Sequence, residues 1–91
     1  MNKQQIKFQL AKLKDLLSHP TTDVSWSSYN SPSDVIKDLN LIEEGILNDD
    51  RTFVDKLLYL LSPTSDLQEI SINSGWENEF IEIAESLESA V

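Results

Sequence analysis

Apolar residues recur along this chain at steps of three and four, and clusters of Ser, Pro, Asn and Asp interrupt them. That alternation predicts an all-α architecture. Ile6, Leu10, Leu13 and Leu17 form one stripe of a helix over 3–18, with Leu16 at its margin. Val35, Leu39, Ile42 and Ile46 form another over 32–47, widened by Ile36 and Leu47. The run DRTFVDKLLYLL, from Asp50 to Leu61, is the densest. Its Phe53, Val54, Leu57, Leu58, Leu60 and Leu61 span an arc of about 160°, wider than the roughly 100° stripe of a helix covered on one side. The segment 51–61 therefore reads as the helix the others pack around. A final stripe, Trp76, Phe80, Ile83, Leu87 and Val91, predicts a helix over 76–89, with Ala84 permitting close approach. Between the last two, DLQEISI fits either a short helix over 66–72 or a strand. No partner strand is evident, so the helix is the expected form. The fold expected is one domain over 1–91, a small compact bundle of four main helices plus one short helix. No heptad repeat persists, which excludes a long coiled coil.

Local chemistry places the boundaries. Ser31-Pro32-Ser33-Asp34 supplies an N-cap, a proline where a missing N–H costs nothing, and an acid at the positive end of the helix. Asp49 or Asp50 can cap the third helix, and the short connection makes the second and third helices antiparallel neighbours. Ser65 with Gln68, and Ser74 with Glu77, match the capping-box spacing. Gly45 is expected to fray the end of the second helix, because Gly costs about 1 kcal/mol relative to Ala inside a helix. Residues 20–31, PTTDVSWSSYNS, read as an ordered loop.

Three aromatic residues do not fit the stripes neatly. Phe8 lies opposite the first stripe and is either covered by a later segment or left for a partner. Trp26 and Tyr29 are expected to pack over the bundle, against Phe8; the competing reading makes them interface anchors. Tyr59 lies off the apolar arc, with its hydroxyl wet. Glu43 falls inside the second stripe. It is expected to reach a lysine of the first helix, the sharper alternative being a functional carboxylate with a raised pKa.

Charge changes the picture from architecture to surface. The 91 residues carry sixteen acids against seven Lys and Arg, a formal charge of −9. Lys3, Lys7, Lys12 and Lys14 share the first helix with Asp15 alone, so the rest of the chain is strongly acidic. The last helix carries Glu77, Glu79, Glu82, Glu85 and Glu88 without one Lys or Arg. Like charges at these spacings destabilise an isolated helix, so Lys3, Lys7 and Lys14 are expected beside it, with the first and last helices packed side by side. Such a surface repels nucleic acid and anionic membrane and attracts a basic protein.

The same reading limits the chemistry. There is no Cys, hence no disulfide, thiolate metal site or cysteine nucleophile. His19 is the only histidine, and no metal-ligand spacing, Gly-rich phosphate loop, calcium loop or nucleophile elbow occurs. No cofactor and no enzymatic activity are expected. Lysines interrupt the first helix too often for a signal peptide, and no run of 18 apolar residues offers a membrane span, so a cytoplasmic location is expected. The leading expectation is a protein-binding or regulatory module that neutralises a basic partner, as an antitoxin or immunity protein does. Its candidate contacts are Glu79, Glu82 and Glu85, with Phe8, Trp26 and Tyr29 as the apolar alternative. A regulatory homodimer using Phe8 and Leu41 is a second expectation. A small-ligand site or enzyme using His19, Glu43 and Tyr59 is a third.

Overall fold

A computed structural model describes residues Met1–Val91 and contains five helices and no strand. They are α1 (Lys3–Leu17), α2 (Pro32–Leu47), α3 (Arg51–Leu60), α4 (Asp66–Ser74) and α5 (Glu77–Ala90). The radius of gyration is 12.1 Å, close to the ~12 Å expected of a packed chain of this length.

Most of the predicted stripes become the core. Ile6, Leu10, Leu13 and Leu17 of α1 meet Val35, Leu39, Ile42 and Ile46 of α2 and Phe80, Ile83 and Leu87 of α5 in one continuous cluster. The helix in the middle is α1, packed on α2 along one side and on α5 along the other. Gln9 is buried with it, since it occupies the i+3 position of the stripe although its side chain is polar. The backbone N–H of Asn2 donates to the Ala90 carbonyl at 2.7 Å, tying the start of α1 to the end of α5.

The segment expected at the centre lies at the side. α3 packs on α2 and sends Val54, Leu57 and the flanking Leu61 into the core, whereas Phe53 and Leu60 are only partly covered and Leu58 is exposed. A wide apolar arc measures how much surface asks for cover. It does not say that neighbours supply it.

The caps follow their local signals with one exception. Asn2, Ser31, Asp50 and Ser65 each accept a backbone N–H from the first turn of the helix that follows. The pair Ser74 and Glu77 does not form the expected box. Gly75 takes a left-handed conformation at φ 84° and closes α4, α5 starts at Glu77, and no side chain caps it. The Ser74 hydroxyl instead accepts the backbone N–H of Asp23 at 2.8 Å, pinning the long loop to the end of α4.

Gly45 does not fray α2. It is buried two residues before the helix ends, and a Cβ built there falls inside the ring of Phe53. The glycine is what allows α3 to come this close.

Candidate functional site

Between α2 and α3 lies an open groove of about 510 Å³. Leu41 and Ile42 of α2 line one side, while Phe53, Tyr59 and Leu60 of α3 line the other. Ile42 belongs to the buried stripe of α2, and Phe53 and Leu60, seven positions apart, share one face of α3, while Leu41 and Tyr59 lie off those stripes and stand at the margins of the groove. Tyr29, from the loop after α1, lines the same groove. Leu41 is 58% exposed and Tyr59 73%, so an apolar floor opens to water through two large exposed side chains.

Charged groups stand on the rim. Asp38 and Asp55 line the groove with one cation, Lys56. The Lys56 ammonium lies 5.0 Å from the centroid of the Phe53 ring, a cation–π distance, and so covers part of the floor. Tyr29 is half-buried rather than presented as an anchor. Its ring packs against the core, and its hydroxyl donates to Asp38 at 2.9 Å. Burial, then the hydrogen bond to Asp38 and the negative charges of Asp38 and Asp66, push the phenol well above its ordinary range.

The other proposed aromatic contacts do not join this groove. Trp26 is 79% exposed and Phe8 57% exposed; neither packs over the bundle, so the expected cluster of Trp26, Tyr29 and Phe8 does not form. The loop is anchored by partly buried Val24 and Tyr29 together with hydrogen bonds from Thr22, Asp23 and Ser28. Within it Asp23 accepts the Ser25 N–H, and its bonds to Ser25 hold the carboxyl below the ordinary aspartate range. The Lys12 ammonium rests 5.1 Å from the Phe8 ring centroid on the outer side of α1.

The acidic candidates lie elsewhere. Glu82 and Glu85 line a polar trough of about 700 Å³ along the seam of α1 and α5, and Glu79 joins Glu82 in the adjoining depression. All three are exposed. The helices pack side by side as expected, but two of the three lysines expected to neutralise α5, Lys3 and Lys14, reach α2 and the turn after it instead, while Lys12 lines the depression that holds Glu79 and Glu82. The Lys3 ammonium donates to the Leu47 carbonyl at 3.2 Å and pairs with Asp49 at 2.8 Å; Lys14 pairs with Glu43 at 3.0 Å. These are the two ion pairs of the structure, so no acid of α5 has a cationic partner.

Glu43 thus has the structural role expected of it. Neither Glu43 nor His19 lines the groove that holds Tyr59, so the third expected site is not assembled there. No three His, Asp or Glu residues converge in a way that would hold a metal ion, and no helix is long and apolar enough to cross a membrane.

The α2–α3 groove was missed in the sequence, although a signal for it exists: α3 carries more apolar width than one neighbour can cover. Comparison of the chain with protein-family models, curated proteins and solved structures returns no match.

Proposed function

We propose that this chain is a cytoplasmic, non-catalytic module that binds a basic protein. The observation that supports this reading is the uncompensated charge of α5. Five glutamates follow one another on a helix that forms no ion pair: Lys3 and Lys14 are engaged with Asp49 and Glu43, and Lys12, which shares a depression with Glu79 and Glu82, is the one cation beside them. Side-by-side carboxylates without counter-ions raise the free energy of the unbound molecule, and a cationic partner lowers it on association. Glu79, Glu82 and Glu85 present that charge along an open seam, where long-range attraction accelerates encounter with a partner of opposite sign. Neutralising a basic protein, as an immunity protein or antitoxin does, is the regulatory form of this activity.

The test is capture from cell extract at low and at moderate salt, using the parent chain and the double substitution Glu82→Lys, Glu85→Lys. The expected result is a specific partner retained by the parent at low salt, weakened by salt and lost on charge reversal. Undiminished capture by the reversed chain would reject the α5 face as the contact.

A further inference from the structure

The geometry points to the α2–α3 groove as the docking site for an amphipathic, basic α-helical segment of a protein partner. It deepens the reading of the chain as a binder of a basic protein and rests on it, while placing the specific contact away from α5.

Shape and cover give the first reason. α2 and α3 are consecutive helices joined by three residues, Asn48 to Asp50. Two packed helices offer a furrow in which a third can lie, with apolar anchors entering at helical spacing. Leu41 and Tyr59 stand on opposite sides of this furrow over Phe53 and Leu60, which the protein's own helices leave partly covered. The volume of about 510 Å³ lies within the ~300–1,000 Å³ range of ligand clefts. It holds a few apolar side chains, not a folded domain.

Charge selects among occupants. Asp38 and Asp55 rim opposite helices, and Asp66 adds negative potential beside Tyr29. The one local cation, Lys56, is drawn over the Phe53 ring. An incoming Lys or Arg therefore meets carboxylates on both sides of the apolar floor, and an acidic segment meets repulsion. A second copy of this chain carries the same charge of −9, which opposes self-docking. The groove is also preformed on one wall, since the Tyr29–Asp38 hydrogen bond fixes the loop before anything binds.

The test titrates the isotopically labelled full chain, at low salt, with a synthetic helical peptide of Leu and Lys arranged with one apolar face. Oligolysine of equal charge and the matching Leu and Glu peptide serve as controls, and amide shifts are followed by NMR. Largest shifts at Leu41, Phe53 and Tyr59, with at least tenfold weaker binding by Leu41→Ser, Tyr59→Ser, support the proposal. Both substituted side chains are exposed, so an unchanged thermal melt confirms that the fold is retained. Equal binding of the Leu and Glu peptide overturns it, as does self-association of the free chain through the groove. Shifts confined to α5, abolished by Glu82→Lys, Glu85→Lys and untouched by the groove variant, overturn the groove alone and leave the acidic-face reading standing. Absence of binding by the Leu and Lys peptide overturns the groove proposal, and the extract capture then decides the broader reading independently.

Discussion

Replacing Gly45 by Ala puts two opposing effects on one position. In an exposed helix interior the change stabilises by about 1 kcal/mol, because Ala loses less backbone entropy than Gly. Here the new methyl falls inside the Phe53 ring. The ring has to leave the surface of α2 and turn toward the groove, and overpacking of this kind costs about 1–3 kcal/mol. Setting about 2 kcal/mol of steric cost against about 1 kcal/mol of propensity gives a net destabilisation of about 1 kcal/mol. The sign should reverse once the ring is gone. In a Phe53→Ala background, which itself costs about 2 kcal/mol for a half-buried aromatic, Gly45→Ala should stabilise by about 1 kcal/mol. The coupling between the two sites is then about 2 kcal/mol. Urea unfolding of the parent, both single variants and the double variant, followed by circular dichroism, measures every side of this cycle. In a chain of this size 1 kcal/mol corresponds to about 4–8 °C in Tm, so thermal melts give an independent check. If Gly45→Ala raises the midpoint while Phe53 is present, or acts with the same sign in both backgrounds, the close approach described here is wrong.

Three further outcomes follow from the structure. Lys14 and Glu43 are about one-fifth exposed at the side chain (21% and 23%), so Lys14→Met or Glu43→Gln alone should cost about 1 kcal/mol. The double change should cost less than the sum, and urea titrations with and without high salt will show the coupling shrink with screening. Trp76 is buried with its indole N–H unpartnered. Trp76→Phe should therefore stay within about 1 kcal/mol of the parent, relief of the orphaned donor offsetting lost area, while Trp76→Ala costs about 3–5 kcal/mol in the same assay. The folded state raises the Tyr29 pKa, so its stabilising contribution is complete below the unfolded phenol pKa of ~10 and is lost as pH rises through the higher folded value. Stability measured from neutral to strongly alkaline pH should fall above about pH 10, and Tyr29→Phe should remove the Tyr29-linked part of that fall.

The features legible in the sequence are those decided within a few residues or one helical period. The Ser31-Pro32 start, the Ser65 cap and the stripes of α1, α2 and α5 needed only local hydrogen bonding and side-chain spacing. Features set by neighbours distant in the chain were harder to read. Ser74 carries the right spacing for a cap, but Asp23 claims its hydroxyl and Gly75 turns the chain away. Gly45 looks weak by propensity until Phe53, eight positions later, is seen resting on it. The lysines of α1 could be placed on a flank by periodicity, yet periodicity could not say that Lys3 and Lys14 would turn to Asp49 and Glu43 rather than to α5. The groove escaped for the same reason, because the apolar width of α3 was visible while the missing neighbour was not.

The position of α1 between α2 and α5 also bears on the order in which the molecule is built. During synthesis α2 emerges soon after α1 and can cover one side of its stripe at once. The other side waits for residues 77–90, the fifth helix in chain order. Until then the part of the α1 stripe that α5 covers faces water, so the nascent chain carries a greasy flank that chaperones can grasp. The arrival of α5 and its bond from Asn2 to Ala90 turns an adhesive intermediate into a finished fold.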